Sequence, residues 1–251
     1  MRFNCDYIDV MTFDLNRRDV IMGSVAAGTM MALPARAWAS ASGVDDYQAR
    51  IRDVALREKE RVGSQLWRTD IVGIADYGVP SWKPRLHFVD FEKGEIRSFL
   101  TAHGKGSDRE HDGWLKAFSG EVGSEATSRG AYLTAEWYKG KYGTSIRLLG
   151  LDQDNATALD RAIVMHSAWY VDQEMIGKWG KIGRSEGCFA MGPDDFREAL
   201  WHLSGGRLLF ADRIGDGTPL FSANPAAPIV PQPPESGVVS GSATGLAQSS
   251  R

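Results

Sequence analysis

Arg161-Ala162-Ile163-Val164-Met165-His166, an apolar run ending on a histidine, and Gly183-Arg184-Ser185-Glu186-Gly187-Cys188-Phe189, a loop ending on a cysteine, carry most of the information in this chain. The first reads as a compact strand, Ala162 to His166, with the histidine at its end. The second places a cysteine behind two glycines that let the backbone pass close to a substrate. A free thiol, with a pKa near 8.5, is only a few per cent thiolate at neutral pH, so a nucleophilic cysteine needs a base or a positive charge beside it. His166 supplies the base in this reading, and Arg184 a charge. Gly187 allows a tight bend that aims the Gly187 and Cys188 amides at a developing oxyanion. Taken alone, Cys188 reads equally as a small buried hydrophobe and His166 as a core histidine. Their joint occurrence favours cysteine-dependent acyl transfer.

Cysteine usage supports that choice. The chain of 251 residues has two cysteines, and Cys5 lies ahead of a segment that reads as an export leader. The leader runs over residues 1–39: Arg17-Arg18, the apolar stretch Ile21 to Leu33, Pro34, and the small-residue site Ala37-Trp38-Ala39, a twin-arginine pattern. Met11 stands at a more usual distance from the arginine pair than Met1 does, so residues 1–10 read as preceding the true start. The apolar stretch is short of the roughly twenty residues a bilayer span needs, so cleavage, with no integral span left, is expected. The mature chain then keeps one thiol and no disulfide in a periplasmic or other extracytoplasmic compartment, where an idle thiol is a liability.

Removing the leader takes away four charges of each sign and leaves the formal net charge at −3. No basic excess exists for nucleic acid or an anionic membrane. With 43% apolar and 24% charged residues, the rest is ordinary globular material. Residues 40–66 read as a helical segment: Tyr47, Ile51, Val54, Ala55 and Leu56 recur at spacings of three and four over 45–63, closed by Gly63. Residues 67–212 read as the catalytic domain. From Ile71 to Gly150 short runs alternate with Gly, Pro and Asp, and two hairpins stand out, 85–91 with 96–100 and 130–138 with 144–149. A helix is expected over 193–203 and a strand over 207–211. The fold class is therefore mainly β, a sandwich or barrel with a few helices. Half of the ten prolines fall between Pro225 and Pro234, and residues 224–251 read as a disordered tail.

The His166 run extended to Val171, the loop Gly183 to Met191, and upstream stretches including Leu86 to Phe91, Thr101 to Lys105, Tyr132 to Gly143 and Ile146 to Leu151 together resemble the murein L,D-transpeptidase catalytic domains of the YkuD type. The nearer likeness is to their diverged branch, marked by a histidine-bearing strand followed by Gly-Arg-Ser-x-Gly-Cys. The resemblance implies an L,D-transpeptidase-like β-sandwich or barrel acting on peptidoglycan stem peptides. Cys188 attacks an L-to-D peptide carbonyl, the terminal D-residue leaves, and a second stem's amine completes a crosslink. It implies catalytic roles for Cys188, His166 and Gly187, with the histidine oriented by a backbone carbonyl. It also makes Arg184, Ser185, Tyr138 and His103 candidates for substrate binding. Glu186 stands where the commoner branch carries a histidine, which departs from its substrate contacts.

No cofactor is expected. His87, His103, His111, His166, His202 and Cys188 show no ligand-like local spacing, so no metal is expected. Three alternatives stay open: a carboxypeptidase or endopeptidase that uses water as acceptor, and a wall-binding module without catalysis.

Overall fold

The computed structural model describes residues 35–214. The tail over 224–251 and the leader up to residue 34 lie outside the described residues, and residues 35–39 are the first of helix α1 (Ala35–Val62). Ile71-Val72-Gly73-Ile74-Ala75-Asp76 shows no polar alternation because strand β1 (Ile71–Asp76) is buried at every position. The same holds for β8 (Leu208–Asp212), which pairs with β1 in parallel. A strand covered on both faces needs continuous apolar character rather than a period of two.

The other strands are β2 (Leu86–Asp90), β3 (Glu95–Phe99), β4 (Gly130–Gly140), β5 (Gly143–Gly150), β6 (Val164–Ser167) and β7 (Phe189–Met191), with helices α2 (Gln173–Trp179) and α3 (Pro193–His202). They form an eight-stranded sheet in the order β3-β2-β1-β8-β4-β5-β6-β7. The sheet curls towards closure. The segment after β3 meets the segment around β7 through Ala102 N–H to Ala190 O (2.9 Å) and Lys105 N–H to Ser185 O (2.8 Å). The architecture is thus mainly β and nearly closed, as the strand spacing implied.

One face of the curl is filled by Tyr77, Phe88, Tyr132, Ile146, Leu148, Met165 and Phe189, and capped by Phe196, Ala199 and Leu203 at α3. The opposite face is covered by α1, whose Ile51, Val54, Ala55 and Val62 pack on Val72, Ile74, Leu208 and Phe210. Each large aliphatic buried this way contributes about 1.5–3 kcal/mol, enough to bind α1 to the sheet. Glu58 is buried beneath it and is held by Arg57 and Arg61, while Arg61 also forks onto Asp152.

Several boundaries differ from the sequence reading. The helix expected from residue 45 starts at Ala35. The strand expected from Ala162 starts at Val164, because Ala162 has a left-handed backbone (φ 52°) and its N–H closes a turn on Leu159 O. Helix α2 and strand β7 were not anticipated. Asp172 caps α2 by accepting from Glu174 N–H, and Gly180 (φ 70°) ends it.

Candidate active site

The parallel pairing of β6 with β7 sets Met165 opposite Phe189 and His166 opposite Ala190. Cys188 immediately precedes Phe189, so the thiol stands at the start of β7, beside the strand that carries the imidazole. Both line a cavity of about 280 Å³, together with Lys105, Tyr142, Tyr170, Arg184, Ser185 and Glu186. The Cys188 thiol donates to Ala162 O at 3.7 Å. Burial pushes the thiol pKa up and Glu186 adds to this, against the Val164 N–H and Arg161, which lower it.

His166 Nδ1 lies 2.9 Å from Ser167 O. A carbonyl only accepts, so Nδ1 carries the proton and Nε2 is the free basic nitrogen. The ring stacks on Tyr142 with centroids 4.7 Å apart. Burial lowers the histidine pKa, partly offset by the Ser167 carbonyl. Both shifts favour the neutral forms, thiol and imidazole.

Gly187 has φ 109°, and a Cβ there would stand 2.7 Å from Ala126 O. Its N–H donates to Ser185 Oγ (3.2 Å), which itself donates to Cys188 O (2.6 Å). Ser185 therefore braces the turn, and the Gly187 amide is engaged with it rather than aimed at an oxyanion. Gly187→Ala adds backbone strain of about 1–3 kcal/mol and a clash with Ala126. We expect a lower urea midpoint, and turnover reduced more than the fraction unfolded accounts for; unchanged values of both would show that the turn relaxes freely.

The other sequence candidates separate. The Arg184 guanidinium reaches away from the sulfur to Asp108 O and, at 3.4 Å, to Arg109 O. The charge acting on the thiol is Arg161, whose Nη2 donates to Ala126 O (2.5 Å) behind the Gly187 turn. Tyr138 lies outside the cavity, with its ring under the Arg147 guanidinium at 4.7 Å. It stands opposite Ser145, which in turn stands opposite His166. His103 is 1% exposed and does not line the cavity. Glu186 sits at the mouth, paired with Lys105 (3.1 Å), which also binds Glu125 (2.8 Å).

Tyr142, Tyr170, Lys105 and Arg161 are the cavity and support residues that spacing alone missed. Tyr142 occupies a tight hairpin turn, where a bulky aromatic was its one visible signal. Among the described residues, no group of three or more His, Cys, Asp or Glu is placed to hold a metal, and no helix is long and apolar enough to cross a membrane.

Residues 46–211 match the family model described as L,D-transpeptidase catalytic domain. No curated protein matches the chain. Similar solved structures include an L,D-transpeptidase from Mycobacterium smegmatis, at 15% identity over 57% of this chain and 58% of that one, TM-score 0.35. Another is L,D-transpeptidase 1 of Mycobacterium tuberculosis, at 13% over 56% and 60%, TM-score 0.31. The helical cell shape determining protein of Campylobacter jejuni matches at 14% over 61% and 52%, TM-score 0.36. The chain thus covers less than two thirds of each of these structures. The family match, by contrast, runs from α1 to β8 and takes in Cys188 and His166. By that match, the chain belongs to the L,D-transpeptidase catalytic domain family.

Proposed function

We propose that this protein performs cysteine-dependent acyl transfer on peptidoglycan stem peptides. The observation that carries the reading is the placement of Cys188, immediately before β7, and His166, on the adjacent β6, around one cavity, the imidazole having a free basic Nε2. As substrate binds, Nε2 takes the thiol proton while sulfur attacks the carbonyl of an L-to-D bond. The carbon–nitrogen bond then breaks, and the imidazolium returns the proton to the departing D-residue's amine. A thioester remains on Cys188. The amine of a second stem attacks it, loses its proton to His166, and the crosslink forms as the thiol is released. Export through the leader over residues 1–39 would bring the domain to this substrate.

The test is incubation of the mature protein with purified disaccharide tetrapeptide and mass analysis of the products. Dimer is the expected product, with loss of the terminal D-residue. Tripeptide without dimer would make water the acceptor, and no turnover would overturn the enzymatic reading.

The charge states also predict a pH dependence. The base form of His166 is lost as pH falls through a pKa below the ordinary value of about 6.5, since burial lowers it. The acid limb of kcat/KM is therefore expected below that value. Burial raises the thiol pKa, so alkylation of free enzyme by iodoacetamide is expected to climb only above about 8.5. A thiolate absorbance at neutral pH would show instead a preformed ion pair.

A further inference from the structure

His103 is buried, takes no part in the cavity, and belongs to a continuous polar chain behind the cysteine loop. Arg85, fully buried, donates from Nη2 to His103 Nδ1 at 2.9 Å. Arginine has no acceptor, so Nδ1 is the unprotonated nitrogen and Nε2 carries the hydrogen. Nε2 donates to Asp108 Oδ2 at 3.1 Å. Asp108 also accepts from the Asp112 N–H through Oδ1 and the Gly113 N–H through Oδ2, both at 3.0 Å. A neutral imidazole thus links a cation to an anion, and each polar atom in the chain has a partner. Burial, with Arg85 next, holds the His103 pKa down to about 3, so the chain keeps one protonation state across the working range.

The backbone at the His103 and Asp108 members of this chain touches the loop that carries the nucleophile. The His103 carbonyl accepts from Ser185 N–H at 2.9 Å, and Lys105 N–H donates to Ser185 O at 2.8 Å. The Asp108 carbonyl accepts from the Arg184 guanidinium. Arg85 fixes Thr101, two residues before His103, donating from Nε and Nη2 to Thr101 O at 3.0 and 2.9 Å, and Thr101 Oγ1 reaches Ala190 O at 3.1 Å. Residues on either side of Cys188 are therefore tethered to the segment 101–108. Within the loop itself, Ser185 bonds Cys188 O.

We propose that Arg85, His103 and Asp108 form a positioning chain that holds the cysteine loop in register for thiol attack. His103 is a positioning residue, acting on Cys188 through Ser185 and not by contact with substrate. This assignment rests on Cys188 being the nucleophile. A shift of the loop by a fraction of a bond length moves sulfur relative to Nε2 and the scissile carbonyl, and also opens the packing that keeps the thiol buried.

The test is His103→Leu beside His103→Gln, whose amide offers one acceptor to Arg85 and one donor to Asp108. For folded His103→Leu, kcat on disaccharide tetrapeptide is expected to fall about 100-fold with little change in KM. Iodoacetamide alkylation of Cys188 at pH 7 is expected to rise about tenfold as the loop loosens. His103→Gln should restore both to within about threefold of wild type. The proposal is overturned if His103→Leu, folded by circular dichroism, keeps both its kcat and its alkylation rate. If wild type does not turn over the tetrapeptide, the alkylation arm decides alone, and the failure belongs to the substrate reading. Should His103→Leu not fold, Arg184→Gln cuts the tie to the Asp108 carbonyl at the outer end. It is expected to shift both readouts the same way by about fivefold, and unchanged readouts there overturn the proposal.

Discussion

Cys188→Ala is expected to lower stem-peptide turnover by about 10⁴-fold or more, equivalent to about 5.5 kcal/mol or more of transition-state stabilisation, since no other atom can carry the acyl group. The side chain is small and its thiol makes one long bond, to Ala162 O, so the fold should survive. His166→Ala is expected to cost about 10²–10⁴-fold, the usual range for a general base. The double variant should be scarcely worse than Cys188→Ala, because base and nucleophile act as one unit. Intact-mass analysis after exposure to a carbapenem gives a second readout: an adduct on wild type, and none on Cys188→Ala. An adduct persisting on Cys188→Ala would remove the cysteine from the mechanism. Turnover unchanged in that variant would do the same.

The pair was readable from sequence because its signals are local: an apolar run ending on histidine, and a cysteine behind glycines. The hairpins of β2 with β3 and β4 with β5 were readable for the same reason, since turn glycines and β-branched runs lie next to each other in the chain. What escaped depends on contacts between distant segments. β7 has three residues, too few to show a period, and is a strand only because β6 lies beside it. α2 has seven residues, none of them buried, so no apolar stripe marks it. Arg184 looked like the charge for the thiol because it is four residues away. The fold instead turns it to Asp108 and brings Arg161 behind Gly187. His103 reads equally as a substrate contact and as a structural histidine, and its burial away from the cavity is set by distant contacts that sequence position does not carry.

Arg85→Met is the substitution expected to cost most in stability. The guanidinium is fully buried and donates to Thr101 O, Val79 O and His103 Nδ1, while lying 4.9 Å from the Tyr77 ring centroid. Burial, partly offset by Tyr77, Asp76 and Asp108, pulls its pKa down to about 10, so it remains charged, held also by its hydrogen bonds. Methionine matches much of the volume but leaves two carbonyls and an imidazole nitrogen without donors, and the Asp108 carboxylate without its nearby cation. Removing one partner from a buried ionic network typically costs about 3–5 kcal/mol, or about 10 °C in Tm for a domain of this size. Arg85→Lys keeps the charge and loses the fork, and should fall between wild type and Arg85→Met. The cycle with His103→Leu separates network from packing: if the two residues act through their shared bond, the double variant should be less destabilised than the sum of the single variants by about 1 kcal/mol or more. Additive costs would show that Arg85 supports the Thr101 segment independently of His103. A folded Arg85→Met as stable as wild type would show that the site tolerates an apolar core. Since residues 101–105 are bonded to Ser185 and Ala190, Arg85→Met is expected to lose turnover at temperatures well below its own unfolding transition, a loss that global instability alone does not produce.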